Sequence, residues 1–210
     1  MTVLSLVDVE LIDLDEKIAD LSLLSVAERE RAARYRFEWD RRRFIAGRVA
    51  LRRRLGGVLD CPPDRVELMV GPFGKPQLPN GLPQFNVSHS GQWALIAVTE
   101  VGTIGVDIEA VDQRVDIAGV GRRTFSTMER SSLAEVGDRV EGFFDLWTLK
   151  EAVVKADGRG LSLEPATFTV STGEEPRLLD PPDGSDPSCW QLRRLEVPEG
   201  LRAALALRTL

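Results

Sequence analysis

VDVE at Val7–Glu10 returns as VDIE at Val106–Glu109, and whether that echo is accident or duplication decides the fold. The segments around it answer together. LSVAERE from Leu24 is matched by FSTMERS from Phe125, AGRVALRRRLGG from Ala46 by TLKEAVVKADGRG from Thr148, LMVGPFGKPQL from Leu68 by FTVSTGEEPRL from Phe168, and ALIAV from Ala94 by AALAL from Ala203. Five segments recur in one order at offsets of 99 to 109 residues, the mark of an internally duplicated chain. The expected fold is α+β: two similar halves, residues 1–102 and 103–210, related by a pseudo-twofold, with the active site in the cleft between them.

Each half should run strand, capped helix, longer helix and strand hairpin. Ser25 with Glu28 and Ser126 with Glu129 both fit the Ser-x-x-Glu capping box, which satisfies free amides at a helix start. WALIAVT and TFTV carry the β-branched and aromatic residues of sheet. The join around Glu100–Thr103 is short, so the halves should dock closely. DPPDGSDPS, Asp180–Ser188, has the composition of a mobile surface loop.

A net charge of −6 argues against a general nucleic-acid binder, although eleven arginines fall between Arg29 and Arg54. That segment is either a solvated helix face or a contact for an anion or acidic partner. No apolar run approaches the ~18 residues of a membrane span, and the acidic start MTVLSLVDVELIDLDE lacks a basic leader, so a cytoplasmic protein with no membrane partner is expected. Cys61 and Cys189 match no zinc or disulfide spacing.

Four local patterns could carry chemistry. Asp107 and Glu109 stand two apart in an extended run, so both carboxylates leave one face of the strand. Two hard oxygen donors suit Mg²⁺, yet Asp8 and Glu10 repeat the pattern, and a solvent-facing acidic edge would look the same. On the helix after Phe144, Leu146, Leu149 and Val153 share one face while Glu151 and Lys155 share roughly the opposite one. That pair is either an ordinary i, i+4 surface pair or the companion of the strand acids, since Mg²⁺ takes one or two carboxylates together with phosphate oxygens. GPFGKP, Gly71–Pro76, is a turn displaying Lys75, and is not a Walker A loop. In SHS, Ser88–Ser90, neighbouring residues face opposite ways on a strand, so Ser88 and His89 cannot form a nucleophile–base pair there.

In order along the chain, GKP at Gly74–Pro76, FNVSHS at Phe85–Ser90, GVDIE at Gly105–Glu109, FSTMER at Phe125–Arg130 and WTLKEAVVKADGRGL at Trp147–Leu161 resemble the 4′-phosphopantetheinyl transferase superfamily. The duplicated length resembles its Sfp type, a pseudodimer in one chain. The resemblance implies an enzyme that transfers the 4′-phosphopantetheine group of coenzyme A to a serine of an apo acyl or peptidyl carrier protein. 3′,5′-Adenosine bisphosphate would leave, and the reaction would depend on Mg²⁺. It further implies Mg²⁺ on Asp107, Glu109 and Glu151, and coenzyme A on Arg31, Arg43, Lys75, Pro76, Ser88, His89 and Lys155. Glu151, directly or through metal-bound water, is then the candidate base, Lys155 stabilises phosphoryl charge, and Glu129 is a second candidate base. Glu28 departs from members that carry a basic residue there, and the repeat gives it a capping role instead. A monomer is expected.

Overall fold

Two serines open the pattern that organises the chain. Ser25 Oγ accepts the Glu28 amide at 3.3 Å while Glu28 Oε2 accepts the Ser25 amide at 2.8 Å, starting helix α1 (Val26–Ala33). Ser126 and Glu129 repeat the exchange at 3.3 and 2.7 Å and start α4 (Thr127–Glu135). Both are closed capping boxes, as expected.

The computed structural model describes residues 6–17 and 20–209. The first half runs β1 (Val7–Asp13), α1, α2 (Glu38–Val58), the hairpin β2 (Met69–Val70) and β3 (Pro76–Gln77), then β4 (Gln84–Ser90) and β5 (Trp93–Thr99). The second runs β6 (Thr103–Ala110), α3 (Ile117–Thr124), α4, α5 (Arg139–Asp157), the hairpin β7 (Thr169–Val170) and β8 (Leu178–Asp180), then β9 (Trp190–Arg194) and β10 (Leu201–Arg208). The sheets have orders β1-β5-β4 and β6-β10-β9, so every strand has its counterpart at the same position, all pairings antiparallel. The last strand of each half is central, and β5 and β10 are buried along nearly their whole length, which is why both are continuous apolar runs. Only α3 lacks a counterpart. It was not expected from the repeat, and Asp116 caps it by accepting the Gly119 amide at 2.9 Å.

Each half has its own core beneath its long helix. A further cluster joins them, with Val7, Val9, Leu95 and Ala97 from one half against Ile104, Val106, Ile108, Ala203, Leu205 and Leu207 from the other. The join between β5 and β6 turns on Gly102, at φ +69°. A Cβ there would lie 2.0 Å from the Arg208 carbonyl oxygen, so only glycine fits. The Asp180–Ser188 loop differs from expectation in being tied down: Arg159 donates to the Pro182 carbonyl at 3.1 Å, Trp190 Nε1 donates to Ser185 Oγ at 3.1 Å, and Asp183 pairs with Arg208. Among the described residues no helix is long and apolar enough to cross a membrane.

Candidate active site

Gly105 decides how near the long helix of the second half can come to its first strand. A Cβ at that position would lie 2.1 Å from the Ala152 carbonyl oxygen and 2.4 Å from the Ala156 amide nitrogen. Without one, α5 settles onto β6 at the level of Glu151 and Lys155. α5 itself is defined at both ends, Asp138 accepting the Val140 and Glu141 amides at 3.0 Å and Gly158 ending the helix at φ +89°. Leu146, Leu149 and Val153 are fully buried, as the helical spacing predicts. Glu151 and Lys155 line a cleft of about 700 Å³ together with Gly74, Lys75, Pro76, Asn86 and Val87 of the first half.

Asp107 stands behind Lys155 rather than on the cleft surface, and is 2% exposed. Its Oδ1 accepts from Lys155 Nζ at 2.6 Å and from Ser88 Oγ at 2.8 Å, and Lys155 also donates to Ser88 Oγ at 2.8 Å. Asp107 Oδ2 is buried with no hydrogen-bond partner. A buried carboxylate oxygen left unpaired is costly, and its place is explained if a cation completes it. Burial pushes the Asp107 carboxyl above the usual carboxylate range, against the pull of Lys155 and Ser88. Glu109 is raised by burial and then by the neighbouring charge of Asp107, with Ser90, Lys155 and Trp147 acting the other way. Glu151 is raised by burial and then by Asp107. Asp107 raises both Glu109 and Glu151, and Glu109 also raises Glu151, so the three carboxyls form a field that attracts cations, to which Lys155 supplies one positive charge. Among the described residues no group of three or more His, Cys, Asp or Glu stands already assembled around a metal position. The donor set of hard oxygens and the orphaned Asp107 Oδ2 nevertheless suit Mg²⁺.

The other candidates are divided between this cleft, a second cavity and the surface. Ser88 is buried and occupied, accepting the Ile108 amide at 3.4 Å besides its bonds to Asp107 and Lys155. His89 is exposed on the other face of β4, so the alternation that excludes a Ser–His pair holds. Pro76 and Lys75 line the cleft, but Lys75 Nζ donates to the carbonyls of Ile104 at 2.9 Å and Lys155 at 2.8 Å. This ammonium bolts the first-half hairpin to the second half. Burial lowers its pKa to about 8, opposed by Asp157. Arg31 lies over the Phe44 ring, 5.1 Å from its centroid, in a second cavity of about 820 Å³ that also holds Arg48, Arg52, Gly74 and Pro76. Gly74 and Pro76 thus line both cavities. Arg43 is not there: it forms a two-point pair with Asp15 at 2.8 and 2.7 Å.

Glu129 is corrected from a candidate base to a structural acid. Its side chain is fully buried with that of Lys150, whose Nζ donates to both carboxylate oxygens at 2.8 Å. The Val170 amide and the Ser126 amide take the remaining acceptor capacity at 2.7 Å. The residues missed by the motif reading are Asn86 and Ser90 on β4, Gly105 on β6 and Trp147 on α5. A signal for the first two was present, since Asn86, Ser88 and Ser90 alternate along FNVSHS and share a strand face.

The family model described as 4′-phosphopantetheinyl transferase superfamily matches residues 103–206, and the one described as 4′-phosphopantetheinyl transferase, N-terminal, matches residues 14–101. The chain is similar to 4′-phosphopantetheinyl transferase HetI of Nostoc sp., 34% identical over 201 residues, covering 92% of this chain and 82% of that protein. It is similar to 4′-phosphopantetheinyl transferase Sfp of Bacillus subtilis, 30% identical over 191 residues, covering 88% and 82%. A putative 4′-phosphopantetheinyl transferase, slr0495 of Synechocystis sp., is 39% identical over 146 residues, covering 67% of this chain and 59% of that longer protein.

Proposed function

This chain belongs to the 4′-phosphopantetheinyl transferase superfamily, and on that premise we propose that the cleft lined by Glu151 and Lys155, with Asp107 and Glu109 behind them, is where it moves the phosphopantetheine arm of coenzyme A onto a carrier-protein serine. The observation that carries the reading is the buried Asp107 carboxylate, with one oxygen on Lys155 and Ser88 and the other without a partner. Asp107, Glu109 and Glu151 are the residues that would hold Mg²⁺. When bound, the ion neutralises negative charge on the diphosphate and on the departing bisphosphate.

Coenzyme A spans both cavities, passing the Gly74–Pro76 turn that borders each. Arg31 meets the phosphate at the adenosine end, and Lys155 meets the diphosphate. Lys155 approaches from the helix side and stabilises charge that develops on the phosphoryl oxygens. Glu151 lines the same cleft, and burial raises its pKa, so it is placed to take the proton of the attacking serine. Lys75 acts by holding the hairpin on the backbone of Lys155, and Glu129 plays no chemical part. Residues 1–102 and 103–210 are the two functional halves of a monomer that works in the cytoplasm.

The deciding experiment incubates the protein with coenzyme A, Mg²⁺ and a panel of apo acyl and peptidyl carrier proteins, followed by intact-mass spectrometry. A phosphopantetheine mass gain on the carrier serine, lost when Mg²⁺ is chelated, is the expected result. No gain on any carrier, or gain unaffected by chelation, overturns the reading of substrate or of metal respectively.

A further inference from the structure

The two halves meet along β4 and β6, each an edge strand of its own sheet. They share no backbone ladder. Instead the Val106 amide donates to Asn86 Oδ1 at 2.9 Å, the Ile108 amide to Ser88 Oγ at 3.4 Å and the Ala110 amide to Ser90 Oγ at 3.0 Å. The contacts advance by two residues on both strands, so the strands run parallel and three side chains act as a comb. This covers an edge of β6 that would otherwise present unpaired amides.

What each tooth of the comb does depends on the residue that precedes its amide. Asn86 takes the amide after Gly105, where there is no side chain to bond. Ser88 takes the amide after Asp107 and donates its own proton to Asp107 Oδ1 at 2.8 Å. Ser90 takes the amide after Glu109 and donates to Glu109 Oε2 at 3.0 Å. A hydroxyl is at once acceptor and donor, so a serine can fix a strand amide and a carboxylate of the same strand together. Hydroxyls therefore stand where carboxylates stand, and the tooth without a carboxylate is an amide.

We infer that Ser90, through this paired bond, is a positioning residue that sets the Glu109 carboxylate for cation binding, as Ser88 sets that of Asp107. The inference rests on the reading of Asp107 and Glu109 as cation ligands. With one oxygen held by Ser90, the Glu109 carboxylate is fixed in orientation on its strand. Groups that orient metal ligands in this way typically matter by 10–100-fold in affinity. A role confined to closing the seam would make Ser90 and Asn86 equivalent. The positioning role makes them different, because only Ser90 bonds a carboxylate.

Calorimetric titration of Mg²⁺ into the protein with coenzyme A present tests this without relying on turnover. Ser90→Ala should weaken Mg²⁺ binding by about 10-fold or more, Ser90→Thr should recover most of it by restoring the hydroxyl, and Asn86→Ala should change it far less. Hydrogen exchange at the Ala110 amide should quicken in Ser90→Ala and slow again in Ser90→Thr. Unchanged affinity in Ser90→Ala, no rescue by threonine, or equal losses from Asn86→Ala and Ser90→Ala each overturns the positioning role. Asp107→Ala is measured alongside: if it too leaves Mg²⁺ binding intact, the ligand reading has failed and the inference falls with it.

Discussion

Asp8 in β1 and Asp107 in β6 occupy the same place in two halves with the same strand order, and each pairs with a base of its long helix, yet their surroundings differ. Asp8 pairs across the ladder with Val98 and Asp107 with Ala204. The Asp8 side chain is 57% exposed and ion-paired with Arg54, whereas that of Asp107 is 3% exposed and held by Lys155. Following the register outward, the places of Asn86 and Ser88 fall on Leu195 and Val197. Those two side chains pack with Val7 and Val9 in the shared core. One seam between the halves is a polar comb and the other is apolar. On the long helices the place of Glu151 is taken by Val49, which is buried. Duplication supplied two halves of the same topology, and the polar residues of the β4–β6 junction have no counterpart in the other.

The same contrast marks the structural acids, and there the largest effect is expected. Glu28 and Glu129 both close a capping box and both accept from a base at matching places on the long helix, Arg48 and Lys150. Glu28 has Arg52 as a second partner at 2.7 Å, while Glu129 has one cation, with neither side chain of the pair exposed. Breaking a buried pair from one side strands the other charge, at about 3–5 kcal/mol. Lys150→Ala should therefore lose about that much in chemical denaturation, and Arg48→Ala about 1 kcal/mol or less. Similar losses from both would mean that the two ion pairs are not buried differently.

Next comes the catalytic asymmetry. Asp107→Ala should lower transfer by on the order of 10²–10³ with an unchanged circular dichroism spectrum, while Asp8→Ala should stay near wild type. Rates measured across an Mg²⁺ titration decide it; equal impairment of both variants at saturating Mg²⁺ removes Asp107 from the ligand set.

A smaller effect is expected at Gly105. Gly105→Ala places a methyl group against the backbone of α5, and overpacking of that kind costs about 1–3 kcal/mol. The place of Gly105 in the first half is Leu6, 53% exposed, where exchange to alanine should be nearly silent. Thermal melts of both variants, with transfer rates for the first, test whether α5 needs this close approach.

A pH-dependent effect concerns the hairpins. Lys75 reaches across to Ile104 and Lys155, while its counterpart by the repeat, Glu175, stays on the surface with Arg177. Because burial lowers the Lys75 pKa from 10.5 to about 8, the unfolded chain holds that proton to higher pH than the folded one. The stability of the wild type should thus rise relative to Lys75→Met between pH 8 and about 10.5. A constant difference between the two across that window would show that the ammonium is not buried at the join.

Much of this was legible from local patterns. The capping boxes, the hairpins, the carboxylates of β6 and the Glu151–Lys155 face of α5 depend on spacings of two to four residues, which strand and helix geometry convert directly into shared faces. Ordered repetition added the two halves, because like sequences bury like faces. α3 escaped this reading because it has no partner in the repeat.

Partner choice across the join belonged to the tertiary structure alone. Lys75 bonds a carbonyl 80 residues away and Lys155 bonds Ser88 at a separation of 67, and nothing local fixes such pairs. Glu129 looks like an available acid until Lys150 and the Val170 amide close on it, and Arg43 looks like a free cation until Asp15 takes it. The sequence determined which residues stand on which face of which element. Docking of the halves determined which charges meet, because the energy of a charge depends on what surrounds it once water has been excluded.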